Sequence, residues 1–267
     1  MSTDLLDAHA HLNTLTWANL EEMYLAGVRT IVSPIMLDAG KAVSRETIVD
    51  LWDYLVEVQC PRARQHFIAG YGMVCVNMAS TPREDPERLF ELLPQYLNRP
   101  DVVAIGEVGF EPNSKTCPDL ATQERWIEAQ LQISKRTGMP IVIHTANPPD
   151  QKRLFTERVL NLCVKTGVQL SGVAIDHCSE ANIGLALDAG AYASISVQPF
   201  RGMSPELACD LIVRYGCERI MTNSDCSPLP SDPLAIPKTA LALQRRGVSS
   251  EAITRVCRDN GKAFYRI

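Results

Sequence analysis

No apolar run in the sequence approaches the roughly 20 residues needed to cross a bilayer, so a membrane-spanning helix is not expected. The N-terminal Met-Ser-Thr-Asp also lacks a basic n-region followed by an apolar h-region, and an untargeted, cytoplasmic chain is the expectation. Cys-x-x-Cys pairs are missing. The nine cysteines, Cys60, Cys75, Cys117, Cys163, Cys178, Cys209, Cys217, Cys226 and Cys257, are odd in number and scattered. That pattern argues against a disulfide framework or a thiolate zinc knuckle, and for small buried thiols in a reducing compartment. Charge of one sign is scarce too: 26 Lys+Arg stand against 31 Asp+Glu, a net −5. Basic clusters are as short as Arg62/Arg64 and Arg245/Arg246, which leaves no footprint for wrapping duplex nucleic acid. A nucleic-acid end entering a metal pocket stays open. Finally, no linker, repeat or low-complexity tract divides the chain, so one domain over residues 1–267 is expected.

What is present is a strict alternation. Eight apolar, β-branched-rich runs, at 5–11, 29–34, 67–74, 102–108, 140–144, 172–177, 192–197 and 219–224, read as strands buried on both faces. Between and after them lie helical patterns at 20–26, 47–58, 86–97, 122–137, 153–165, 181–189, 205–215 and 235–246. Gly27, Gly138, Gly167 and Gly190 close four of these helices, where a left-handed residue ends the last turn. Eight β-α units at about 33 residues each predict a closed (β/α)8 barrel, a fold of about 250 residues. A doubly wound open sheet would leave the polar residues described next without a common mouth. The final stretch, 249–267, reads as a capping helix with Ser249 or Ser250 as N-cap.

Four of the five histidines fall at the C-terminal ends of predicted strands. His9 and His11 are two apart on strand 1, so alternation puts them on one face, together with Asp7. Glu107 interrupts the apolar run Ala-Ile-Gly-Glu-Val-Gly-Phe, where an unpaired carboxylate costs several kcal/mol and calls for a cation. His144 ends strand 5, His177 ends strand 6 and Asp225 ends strand 8. In a barrel these six side chains meet at the C-terminal mouth, where the active sites of such barrels lie. Four imidazoles and two carboxylates suit Zn, Mn, Ni or Fe better than Ca. They exceed one tetrahedral set, so two divalent ions sharing a carboxylate are expected, and hydrolysis is the natural reaction class.

These residues resemble the TatD-type metal-dependent hydrolases of the amidohydrolase superfamily over essentially the whole chain. The resemblance rests on Asp7-Ala8-His9-Ala10-His11-Leu12, Gly106-Glu107-Val108-Gly109, Ile143-His144, His177-Cys178 and Asp225-Cys226-Ser227-Pro228. Phosphotriesterase-type relatives carry a carbamylated lysine where Glu107 stands here. The resemblance implies that His9, His11 and Asp225 hold one ion, that His144 and His177 hold the other, and that Glu107 bridges them. It also implies that Asp225 orients or deprotonates the attacking water.

Around this shell the sequence departs from the family. Thr145 and Ala146 replace the Ser-Arg that commonly follows the strand 5 histidine, and Ser179-Glu180-Ala181 replaces Phe-Ser-Gly. Asn223-Ser224-Asp225 stands for Glu-Thr-Asp. Arg201, after strand 7, is the candidate for the lost phosphate contact. Cys178 and Cys226 follow ligands but alternate away from them, and His66 reads as surface at the opposite end. Trp17, Pro112, Pro148, Pro199 and Phe200 lie in loops that shape the pocket. The leading expectation is a hydrolase of a phosphoester or a small ester, lactone or amide. A 3′-end DNase and a metal-stabilised, non-catalytic barrel serving as a binding or assembly partner are the competing readings.

Overall fold

The computed structural model describes residues 4–35, 44–81, 86–145 and 148–267. Eight strands run β1 (Leu5–Asp7), β2 (Val28–Ser33), β3 (Ala69–Val74), β4 (Val102–Gly109), β5 (Ile141–His144), β6 (Val173–Ile175), β7 (Tyr192–Ser196) and β8 (Ile220–Asn223). They pair in parallel and in sequence order. The sheet closes on itself where Ala8 N–H donates to Thr222 O (3.3 Å), Asp225 N–H to His9 O (2.9 Å) and His11 N–H to Cys226 O (2.8 Å). This is the (β/α)8 barrel that the alternation predicts.

The helices of the outer ring are α1 (Trp17–Leu25), α2 (Arg45–Asp53), α3 (Cys60–Gln65), α4 (Glu87–Tyr96), α5 (Leu120–Thr137), α6 (Pro149–Thr166), α7 (Ile183–Asp188), α8 (Pro205–Tyr215) and α9 (Ala235–Arg245). A π-helical stretch, Tyr54–Gln59, joins α2 to α3 without a break, so the helix read at 47–58 runs on to Gln65. Local chemistry sets the ends. Thr16 and Asn19 form a capping box on α1, and the Asp119 carboxylate accepts from Ala121 N and Thr122 N at the start of α5. Gly138 and Gly167 end α5 and α6 at φ 72° and 73°, a conformation that costs glycine nothing. No helix among the described residues is long and apolar enough to cross a membrane.

Apolar packing divides into two layers. The larger lies between sheet and helices and includes Ile31, Ile105, Ile143 and Ile195. The smaller fills the barrel itself with Leu6, Ala8, Val32, Met73, Ala104, Val142, Ala174 and Met221. The C-terminal stretch runs through α10 (Ser250–Thr254), a π-helical Arg255–Asp259 and α11 (Asn260–Tyr265). From it Phe264 and Tyr265 join the interior layer, and the Tyr265 hydroxyl donates to Ala8 O at 2.8 Å. With apolar side chains filling the interior, polar groups are left to the C-terminal rim.

Candidate metal centre

At that rim the strands stop earlier than alternation suggests. β1 ends at Asp7, so His9 and His11 sit on the turn beyond it. Asp7 does not share their face: its Oδ1 accepts from the amides of His9 (3.3 Å) and Ser224 (2.9 Å), which ties β1 to the end of β8. Burial pushes the Asp7 carboxyl up to about 6. Glu107 lies inside β4, His144 is the last residue of β5, and His177 and Asp225 follow β6 and β8 with left-handed backbones (φ 56° and 44°).

All six side chains nevertheless come together, and five of them are no more than 5% exposed. His9 Nε2 stands 3.3 Å from His11 Nε2, 3.6 Å from Glu107 Oε1 and 3.7 Å from Asp225 Oδ1. His11 Nε2 is 3.5 Å from Asp225 Oδ1. On the other side, His144 Nδ1 lies 2.5 Å from Glu107 Oε2, and His177 Nε2 is 3.1 Å from the same oxygen and 3.0 Å from His144 Nδ1. Glu107 therefore stands between a His9/His11/Asp225 group and a His144/His177 pair.

Several neighbours escaped the sequence reading. Asp176 accepts from His9 Nδ1 at 2.5 Å, which leaves Nε2 turned toward the centre. Its signal was available, because Asp176, like Glu107, interrupts an apolar run. Asp176 is itself held by Asn223 Nδ2 (2.8 Å), and a carboxylate oxygen of it lies within 4.8 Å of donor atoms of His9, Glu107 and His177, a group that could itself hold an ion. Ser196 Oγ contacts His177 Nδ1 at 2.6 Å, and Glu111 Oε1 contacts His144 Nε2 at 3.0 Å. Carboxylates and hydroxyls on the far ring nitrogen are how proteins orient histidine ligands.

Burial opposes ionisation of Glu107, but His144 and His9 outweigh it and hold its carboxyl well below the usual range. Asp176 and Asp225 are likewise buried, with histidines beside them drawing both down. Conversely, burial disfavours charge on His9 and His144, yet the carboxylates, Glu107 first, lift them to about 9 and about 10. His177 goes the other way, to about 4, through burial and the Arg201 guanidinium. Three buried carboxylates thus demand positive charge at this spot. Two pairs of ring nitrogens also meet at 3.0–3.3 Å, where lone pairs repel unless a proton or a metal lies between them. A divalent ion meets both demands while leaving the imidazoles neutral, so the donor set fits metal.

Arg201 lies at the mouth, with Nε and Nη2 each 2.7 Å from Asp225 Oδ2. It lines a cavity of about 340 Å³ with His11, Glu111, His144, Phe200 and Leu229. Of the other loop candidates, only Phe200 lines this cavity; Trp17 stacks instead on His66, ring centroids 4.5 Å apart. Cys178 and Cys226 are buried in the outer apolar layer. Ala146, where the family carries arginine, is outside the described residues.

Known proteins are similar to this chain over nearly its whole length. An uncharacterized metal-dependent hydrolase of Methanocaldococcus jannaschii is 30% identical over 263 residues, covering 98% of this chain and 100% of the relative. The TatD-like protein of Archaeoglobus fulgidus superposes with a TM-score of 0.78 at 22% identity, over 98% of this chain and 100% of that one. The phosphotriesterase homology protein of Escherichia coli, solved with phosphate in its active site, gives 0.69 at 18% identity over 99% of each chain. By class, the chain is a metal-dependent hydrolase on a (β/α)8 barrel. The TatD related DNase model matches residues 6–266, and the chain belongs to that family.

Proposed function

We propose that the chain hydrolyses small phosphoesters, with two divalent ions of the Zn, Mn, Ni or Fe group in the barrel mouth and residues 1–267 acting as one domain. His9, His11 and Asp225 would hold one ion, His144 and His177 the other, and Glu107 would bridge them. Bound there, the ions would acidify a water and polarise the phosphoryl oxygen.

The observation that carries the substrate reading is Arg201, a guanidinium at the cavity wall within 2.7 Å of the Asp225 carboxylate. A guanidinium, permanently charged and rich in N–H donors, suits an anionic phosphoryl oxygen beside that carboxylate. The Asp225 carboxylate would orient the attacking water or take up its proton, and Arg201, paired with Oδ2, keeps that carboxylate in place. The exposed side chains of Phe200 and Leu229 offer an apolar rim for the leaving group.

Turnover of bis(4-nitrophenyl) phosphate by Mn- or Zn-loaded protein tests this reading. Asp225→Asn should lower kcat by at least about a hundredfold. No turnover with both ions bound would move the search to esters, lactones and amides, and equal activity in the variant would remove Asp225 from the chemistry. The family description, a DNase, supports a second reading, for which we propose cleavage at a 3′ end. A chelator-sensitive exonuclease assay on single-stranded DNA decides it.

A further inference from the structure

His177 and Asp225 share a feature that neither their chemistry nor their position on the barrel requires. Both have left-handed backbones, at φ 56° and 44°, a region that side-chain-bearing residues seldom occupy. Each also has its carbonyl oxygen taken up by a buried side chain from another element. Lys152 Nζ donates to His177 O at 2.6 Å, and Gln198 Nε2 donates to Asp225 O at 2.5 Å.

Lys152, on α6, is the more telling of the two. It is 8% exposed, and burial outweighs the pull of Asp176 on its ammonium, which forms no ion pair with a carboxylate among the described residues. Burying an unpaired ammonium is costly, and methionine would fill similar space without that cost. What methionine lacks is a donor. The surrounding peptides are already held: Thr145 Oγ1 donates to Asp176 O, the His177 amide to Asp176 Oδ1, and the Cys178 amide to Ser194 O. Lys152 supplies the hydrogen bond of the His177 carbonyl in the same turn.

We propose that Lys152 is a positioning residue: by holding the His177 carbonyl it fixes the reversed backbone that aims His177 Nε2 at Glu107 and His144. Gln198 does the same for Asp225 on the other side of the centre. The inference rests on the reading of His177 and Asp225 as ligands of separate ions. It assigns one support to each ion, so losing one support weakens one ion and spares the other.

The test is competitive titration of Mn or Co against a chromophoric chelator, with the visible spectrum of the Co-loaded protein as a second readout. Lys152→Met should weaken one of two ions about tenfold, leave the other within about threefold, and change the Co spectrum. Lys152→Gln, which keeps a donor, should recover most of that loss, and Gln198→Leu should weaken the opposite ion. Lys152→Met with both affinities and the spectrum unchanged would overturn the proposal. So would equal weakening of both ions, which is what a general packing defect produces. If Lys152→Met does not fold, Lys152→Gln with both ions weakened alike overturns it in the same way. His177→Ala is the control on the underlying reading: unchanged metal binding there would remove His177 as a ligand, and the proposal with it.

Discussion

At the scale of single residues, the centre is a problem of charge. Asp176 shows this most directly, because it touches His9 Nδ1 at 2.5 Å and shapes the site through the ring it orients. Asp176→Asn should lower metal affinity by about 10- to 100-fold while the fold survives, as read by chelator competition and circular dichroism. The metal-free protein gives a second prediction. His9 and His144, lifted from an ordinary 6.5 to about 9 and about 10, are protonated in the fold where the unfolded chain has released those protons. Their contribution is complete below pH 6.5 and is lost as pH rises toward 9–10. Lys152, drawn down to about 8 by burial, works in the opposite sense only above that pH. Metal-free protein should therefore lose thermal stability between pH 6.5 and 8, and metal-loaded protein, whose rings carry no such protons, should not. Equal slopes in a pH series of melting curves would contradict this. Glu107 was legible in the sequence because an anion in an apolar run must be paired, and Asp176, after Val173-Ala174-Ile175, is legible in the same way. Lys152 and Gln198 are not, because their task depends on backbone reversals at His177 and Asp225 that no residue type announces.

At the scale of elements, strands buried on both faces and helices closed by glycine were legible from residue type and spacing. Gly138 is a clean case: its φ is 72°, and a Cβ there would meet nothing within 4 Å. Gly138→Ala should cost about 1 kcal/mol through backbone conformation alone, measured by urea unfolding. Strand ends were less legible. Alternation carried strand 1 through His11 and placed Asp7 beside the histidines, whereas β1 stops at Asp7 and that carboxylate is spent on the amides of His9 and Ser224. Periodicity reports which face a residue takes while pairing lasts, and cannot report where cross-strand bonds give way to side-chain ones.

At the scale of the whole molecule, the barrel separates two tasks. Apolar side chains fill its interior with Phe264 and Tyr265 among them, and the rim gathers polar groups from β1, β4, β5, β6 and β8. A pattern of eight strand-like runs was enough to foresee this, since closure brings distant strand ends to one mouth. The centre gains its donors at or just beyond the ends of five strands, so metal should also fasten the seam between β1 and β8. Its removal with a chelator should lower Tm, and re-addition of Mn or Zn should restore it. Whether six side chains hold two ions is measured directly by anomalous scattering from crystals of Mn- or Zn-loaded protein. Two peaks are expected in the mouth, one among His9, His11 and Asp225, the other beside His144 and His177, with Glu107 touching both. A single peak, or peaks that leave Glu107 or His144 unligated, would contradict the two-ion reading.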